Sequence, residues 1–230
     1  MYSNLFDSHV HSDNSHDGEH SVTFLCENAQ QKNLMGLCIT DHYELEQNEG
    51  QADLCLQNSF LETGKARQAF DRRLLVMNGI EMGQATRNFQ KASSVLNSYR
   101  FDFVLGSLHC IRETDDFAYV DFSGLDIDLL LQKYFEEMLE LCRWGEFDSL
   151  AHMTYPLRYI VGNYGIPVDM KRYDEVIDQI LRTLADNHLG LEINTAGLRR
   201  EIGQTSPTLE YVKRFRQLGG EILTFGSDAH

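Results

Sequence analysis

Leu5-Phe6-Asp7-Ser8-His9-Val10-His11 is a short apolar run that closes on two histidines two positions apart. In an extended strand, residues i and i+2 point to the same face, so both imidazoles can reach one cation. The same arrangement, an apolar run ending on a ligand-type side chain, returns along the whole chain. It reads Cys38-Ile39-Thr40-Asp41-His42, Gly79-Ile80-Glu81, Gly106-Ser107-Leu108-His109, Leu150-Ala151-His152 and Phe225-Gly226-Ser227-Asp228-Ala229-His230. Imidazole and carboxylate are ligands for borderline metals such as zinc, iron or manganese. A barrel enzyme assembles its site at one mouth from side chains delivered singly by successive strand ends. The pattern points to a hydrolytic metalloenzyme.

Outward from these runs, strands are expected over 5–10, 36–40, 74–80, 103–106, 149–151, 190–194 and 221–225. Helices are expected between them, over 22–32, 60–72, 85–98, 127–143, 173–187 and 207–218. The 127–143 segment places Ile127, Leu130, Leu131, Tyr134, Met138 and Leu141 on one face at the 3.6-residue period. Ser206-Pro207 reads as a helix start, with an N-cap serine and proline at the first helical position, and Gly219-Gly220 as its stop. Seven strands alternating with helices imply an α/β protein with a parallel sheet, closed or nearly closed into a barrel, with its metal site at the C-terminal ends of the strands. An open doubly wound sheet would not bring seven strand ends to one pocket. Residues 1–230 are read as one domain, with no linker or repeat. A barrel of this kind normally covers its last strand with a helix, so the native chain is expected to continue past His230.

Charged residues make up 24% and hydrophobic ones 42%, an ordinary globular mixture. The net charge of −15 argues against a nucleic-acid binder, which wants a basic face. Cys26, Cys38, Cys55, Cys110 and Cys142 are odd in number and lack CxxC spacing, which fits reduced thiols in a cytoplasmic protein. No apolar run approaches the ~20 residues that span a bilayer, and no signal peptide is evident.

Taken singly, each motif has a plain structural alternative. The loop Ser12-Asp13-Asn14-Ser15-His16-Asp17-Gly18 offers Asp13, His16 and Asp17 as ligands but also reads as a polar turn. His42 could be a rim histidine. Glu81 is suited to bridge two cations, one per carboxylate oxygen. His109 and His152 close apolar runs, an unusual place for an imidazole that is neither bound nor paired. Arg158, Arg199 and Arg200 are candidates to hold phosphate, because the guanidinium fork donates two parallel hydrogen bonds. Tyr43, Tyr119 and Tyr155 stand near ligand positions and are candidate substrate contacts. Trp144, Tyr134 and Phe135 fit a helix core, Cys110 reads as packing, and neither Ser107 nor Ser227 has a nucleophile's context.

Together, His9-x-His11, Ile39-Thr40-Asp41-His42, Gly79-Ile80-Glu81, Ser107-Leu108-His109, Ala151-His152 and Gly226-Ser227-Asp228-Ala229-His230 resemble, in order and spacing, the motifs of the polymerase and histidinol phosphatase (PHP) family. Glu192-Ile193-Asn194-Thr195-Ala196-Gly197-Leu198-Arg199-Arg200 and the 148–156 stretch are similar to its monofunctional histidinol-phosphatase branch. That resemblance implies a distorted seven-stranded (β/α)7 TIM-like barrel, in agreement with the seven expected strands, and a trinuclear site of zinc, iron or manganese. His9, His11, Glu81 and Asp228 would hold the first metal. Glu81 would bridge to a second, completed by His109 and His152. Asp17, His42 and His230 would hold the third. Asp17, chosen over His16 from its spacing after His11, departs from relatives with histidine there; a harder oxygen ligand favours iron or manganese. The implied activity is hydrolysis of L-histidinol phosphate, a small-molecule ester, in histidine biosynthesis. Metal-activated water would attack phosphorus, and Asp228 and His230 are candidates for proton transfer to the leaving alcohol. The competing readings are a phosphoesterase acting on another phosphomonoester, nucleotide or DNA end, and a non-catalytic metal-stabilised barrel.

Overall fold

Short apolar runs bounded by polar turns can bury both faces only in a parallel sheet covered by helices. A computed structural model, describing residues 4–45, 49–112 and 114–230, has that architecture. The strands are β1 (Phe6–Val10), β2 (Gly36–Ile39), β3 (His42–Glu44), β4 (Leu75–Gly83), β5 (Phe103–Ser107), β6 (Ser149–Leu150), β7 (Gly190–Asn194) and β8 (Leu223–Gly226). All pairings are parallel, in the order β1-β2-β4-β5-β6-β7-β8. The ring closes through the segment after β8: Ala229 bridges Val10, Asp228 N donates to His9 O at 2.8 Å and His11 N to Ala229 O at 2.9 Å.

The eighth strand, β3, is one the sequence did not announce. β2 pairs with Leu75–Asn78 and β3 with Glu81–Gly83 on the same strand β4, so the two act as halves of one barrel strand. Between them Asp41, 3% exposed, turns its carboxylate into a serine-rich cage. Oδ1 accepts from Ser12 N (2.6 Å) and Ser15 Oγ (2.9 Å), and Oδ2 from Ser12 Oγ (2.6 Å) and Ser59 Oγ (2.5 Å).

The helices are α1 (Val22–Gln31), α2 (Glu49–Ala69), α3 (Phe89–Leu96), α4 (Ile127–Trp144), α5 (Asp174–Asp186) and α6 (Leu209–Gln217). α4 follows its pattern: Asp126 caps it by accepting from Leu129 N at 3.0 Å, Gly145 ends it at φ 68°, and its predicted face is buried apart from half-buried Ile127. Three other helices depart from expectation. α2 begins eleven residues before position 60 because its inward face, Ala52, Leu56, Ser59, Thr63 and Ala66, is mostly small and polar and leaves little hydrophobic periodicity. The 85–98 segment breaks at Asn88, whose side chain caps α3 by accepting from Lys91 N at 3.0 Å. α6 starts at Leu209 with Thr208 at its N-cap. Ser206 is used elsewhere, bridging Asn194 and meeting Thr154 Oγ1 at 2.8 Å.

α4 and α5 pack with the barrel strands in the larger apolar cluster, around Leu131, Tyr134, Phe135, Ile177, Ile180 and Leu191. A smaller one joins Val10, Val22, Cys26, Leu37 and Val76 behind β1 and β2. Each fully buried aliphatic or aromatic side chain there contributes about 1.5–3 kcal/mol relative to exposure. Trp144 stacks on Phe89, and Cys110 is buried. No helix among the described residues is long and apolar enough to cross a membrane.

Candidate metal centre

The alternation of β1 sends His9 and His11 into the barrel mouth, where both are fully buried. Their Nε2 atoms lie 3.0 Å apart. Glu81, near the end of β4 and equally buried, stands between two groups of imidazoles. Oε2 lies 3.1 Å from His9 Nε2, 3.3 Å from His11 Nε2 and 3.1 Å from His42 Nδ1. Oε1 lies 3.1 Å from His109 Nε2 and 2.8 Å from His152 Nε2, and those two nitrogens are 3.2 Å apart. Asp228 Oδ1 reaches toward His9 (3.8 Å) and His11 (3.7 Å). Asp17 brackets the outer side, with His42 Nε2 at 3.6 Å and His230 Nε2 at 3.1 Å. All nine ligand candidates therefore meet at one mouth. His16 is 44% exposed beside Asp17, and Asp13 is exposed.

Imidazole nitrogens that face one another and a shared carboxylate cannot all be satisfied by protons. His42 Nδ1, although close to Glu81, makes no hydrogen bond among the described residues. Four overlapping sets converge within the span of a coordinated ion: His9-His11-Asp228, His9-Glu81-His152, His42-Glu81-His109 and His11-His42-His230. This donor set fits divalent cations with nitrogen and oxygen ligands.

A second ring of polar groups fixes the imidazoles. Glu192, fully buried on β7, meets His9 Nδ1 at 2.6 Å and accepts from His152 N at 2.7 Å. Glu44 on β3 meets His109 Nδ1 at 2.9 Å. Ser15, held by Asp41, contacts His11 Nδ1 at 3.3 Å and accepts from His42 N at 3.0 Å. Carboxylates behind ligand histidines set tautomer and ring direction. Asn194 Nδ2 donates to Glu192 Oε2 and Asp228 Oδ2, both at 3.1 Å, and the reading from sequence did not assign Glu44, Glu192 or Asn194 a place in this ring. For the β7 pair the signal was available, since two polar residues two apart on a strand share one face.

The electrostatics agree. Burial lowers His9, but Glu192, Glu81 and Asp228 outweigh it and hold the imidazole well above its usual value. Burial also lowers His109, yet Glu44 and Glu81 lift it to about 10. His11, buried near the other imidazoles, falls to about 3. Burial raises Glu81, and His9, His42 and His109 bring it well below the carboxylate range. Burial likewise raises Asp228, which Arg158 and His9 hold well below that range. The centre keeps its carboxylates ionised and draws positive charge.

A cavity of about 310 Å³ opens over this cluster, lined among others by Asp17, Asp116, Tyr119, Tyr155, Arg158, Tyr159, Arg200 and His230. The three arginines separate here. Arg158, 4% exposed, donates through Nη2 to Asp228 Oδ2 and Asn194 Oδ1, both at 2.7 Å. Arg200 lines the cavity. Arg199 does not: its Nη2 donates to the backbone oxygens of Ser227 (2.7 Å) and Asp228 (3.4 Å), and it borders a different hollow beside Asp7 and Leu25. Tyr119 and Tyr155 also line the cavity. Tyr43 is buried in the core, with its hydroxyl on Asp53 at 2.8 Å.

Comparison with known proteins places this arrangement. The PHP domain family model matches residues 7–196. The chain is 30% identical over 229 residues to the "Probable histidinol-phosphatase" of Clostridium acetobutylicum, covering 98% of this chain and 86% of that protein. It is 31% identical over 226 residues to the protein of the same name from Thermotoga maritima, covering 98% and 84%. The crystal structure of histidinol phosphate phosphatase from Lactococcus lactis, complexed with zinc, L-histidinol and phosphate, superposes with a TM-score of 0.82 at 25% identity, covering 98% of this chain and 86% of that one.

Proposed function

This chain belongs to the PHP domain family, and we propose that it is a metal-dependent phosphomonoesterase that hydrolyses L-histidinol phosphate to L-histidinol and phosphate. The observation that carries the reading is the division of Glu81 between two histidine groups, its Oε2 toward His9 and His11 and its Oε1 toward His109 and His152. A carboxylate shared in this way would serve two cations of a multinuclear centre, one per oxygen. The relatives named probable histidinol-phosphatase, and the Lactococcus lactis histidinol phosphate phosphatase solved with zinc, L-histidinol and phosphate, support the substrate and the use of divalent cations.

In our reading three ions are held, by His9, His11, Glu81 and Asp228; by Glu81, His109 and His152; and by Asp17, His42 and His230. Zinc, iron and manganese all suit these donors, and Asp17 tilts the outermost position toward iron or manganese. Bound cations would supply an acidified water and neutralise charge on the phosphate oxygens. The chain's own groups do the rest. Arg200 at the cavity wall, and Arg158 through the guanidinium edge not engaged by Asp228, donate to phosphate oxygens as negative charge builds. Asp228, kept ionised by Arg158 and His9, is an acceptor for a proton from water at Oδ1. His230, 26% exposed on the cavity wall, is the candidate to give the leaving alcohol its proton. Arg199 holds the Ser227–Asp228 backbone and acts on substrate only through it.

A net charge of −15 and free thiols at all five cysteines suit a cytoplasmic enzyme of small-molecule metabolism. The test is turnover by metal-reconstituted protein. The kcat/KM for L-histidinol phosphate should exceed that for p-nitrophenyl phosphate despite the latter's better leaving group, because remote binding energy is used in the transition state. Equal or reversed preference refutes the substrate.

A further inference from the structure

Among the described residues, six other than glycine hold a positive φ. Asn33, Arg72 and His188 do so in the turns that follow α1, α2 and α5. The other three, Gln84, His152 and Asp228, follow barrel strands β4, β6 and β8. His152 and Asp228 are ligand candidates, and Gln84 is not. Its backbone, at φ 53° and ψ 36°, is left-handed. A glutamine keeps that conformation only where its surroundings fix it, and such outliers gather at functional sites.

The side chain of Gln84, 2% exposed, shows what fixes it. Its amide has one orientation that satisfies both ends. The nitrogen donates to Glu44 Oε2 at 2.7 Å, and the oxygen accepts from His109 N at 3.0 Å and from Cys110 N at 3.1 Å. The backbone ties the same elements together, with Gln84 N donating to Ser107 O at 3.2 Å. Gly83, the last residue of β4, makes the room, since a Cβ there would collide with the Glu44 carboxylate. Glu44 therefore lies over the end of β4 and divides its oxygens, Oε2 to Gln84 and Oε1 to His109 Nδ1 at 2.9 Å. One glutamine thus grips His109 twice, at the ring through Glu44 and at the backbone N–H directly. The remaining ring nitrogen, Nε2, faces Glu81 Oε1 and His152 Nε2.

We propose that Gln84 is a positioning residue that holds Glu44 and the His109 backbone together and so aims His109 Nε2 at the cation shared with Glu81 and His152. The inference rests on the metal centre of the phosphomonoesterase reading above and adds a group that touches no ion. A carboxylate behind a ligand histidine sets the ring only if the carboxylate is itself held. Gln84 holds it, and the left-handed backbone is what turns the amide between β3 and the loop after β5.

The experiment compares wild type with Gln84→Gly and Gln84→Glu, each loaded with zinc alone and dialysed against graded chelator. Element analysis counts the retained ions and anomalous scattering locates them. Both variants should lose affinity at the Glu81-His109-His152 position by about 10-fold or more, the scale for a group behind a ligand. The position served by His9 and His11 should stay filled. Glycine adopts the left-handed backbone without strain, so the melting temperature of metal-free Gln84→Gly should fall by no more than about 4 °C. Gln84→Glu keeps an oxygen for the two backbone donors but sets a second carboxylate against Glu44. Excess zinc should return the missing ion to Gln84→Gly. Variants that retain every ion as wild type does, that lose all positions together, or whose loss excess zinc does not reverse overturn the proposal. A wild type with no ion at Glu81-His109-His152 refutes the three-ion reading and this proposal with it. A wild type that holds its ions without hydrolysing L-histidinol phosphate refutes only the substrate, and the zinc measurements still decide on Gln84.

Discussion

Asp41→Asn isolates the scaffold under the metal centre, because Asp41 is two steps removed from any ion. Its four accepted hydrogen bonds, at 2.5 to 2.9 Å, are charge-assisted and buried. An amide keeps one acceptor oxygen and turns the other end into a donor facing hydroxyls that must rotate to receive it. A hydrogen bond to an ionised group contributes about 1.5–3 kcal/mol and a neutral one about 0.5–1.5 kcal/mol. Weakening the four bonds in this way, with hydroxyl rotation recovering part of the loss, gives a destabilisation of about 2–4 kcal/mol. The loss should reach the ions, because Ser15 passes the constraint from Asp41 to His11 and to the His42 backbone. Affinity at the positions served by His11 and His42 should fall about 10- to 100-fold, the usual scale for a group behind a ligand. The His109-His152 position, which depends on Glu44 and Glu192 instead, should stay filled. Urea denaturation of the metal-free proteins reads the first effect, and element analysis after dialysis against graded chelator reads the second. Metal-free Asp41→Asn within about 0.5 kcal/mol of wild type, with full metal retention, would refute the reasoning.

Glu81→Ala should cost two ions at once, whereas His42→Ala should empty only the outermost position; element analysis or anomalous scattering showing equal losses would refute the bridging assignment. Arg200→Ala should cut kcat/KM by about 10²–10³ with metal content intact. Arg158→Ala should lower both, since it also holds Asp228, and steady-state kinetics beside metal analysis separates the two patterns. The metal-free protein should be most stable at mildly acid pH. His9, His42 and His109 are raised in the fold, so their contribution is complete below about 6.5 and is lost as pH climbs toward their folded values, about 10 for His109. Glu81 and Glu44, the latter lowered to about 2, contribute above about 4.5 and lose that contribution on acidification. Cations replace imidazole protons, so adding metal should move the optimum toward neutral or alkaline pH. Melting curves from pH 4 to 10 check this, and an optimum that metal leaves unmoved counts against the centre.

The barrel was legible because its signals are local. Seven apolar runs of strand length, each closing on a polar residue, needed only the two-residue alternation of a strand to be read. Where the fold escaped that reading, the cause lies in particular residues. α2 hides its inward face behind Ala52, Ser59, Thr63 and Ala66, which bury without raising hydrophobicity. β3 is only three residues long, and it exists because Asp41 interrupts the strand and Glu81 N donates to Asp41 O at 3.1 Å. Ser206 reads as a helix cap until Thr154 and Asn194 claim it.

Sequence alone determined the chemical kind of the site. An HxH on a strand, a lone glutamate at a strand end and a terminal DxH name nitrogen and oxygen ligands for a divalent cation, whatever the register of the barrel. Only the tertiary structure decided which groups meet. Closure places Asp228 N on His9 O and Ser227 N on Asp7 Oδ1, across a sequence separation of about 220 residues. That contact lays Asp228 against Arg158, and it engages Arg199 with the Ser227–Asp228 backbone, out of the cavity. It also brings Glu192 behind His9. The physical reason is that periodicity encodes the direction of a side chain relative to its own backbone. Its partner is set by the pairing register of strands that are remote in sequence.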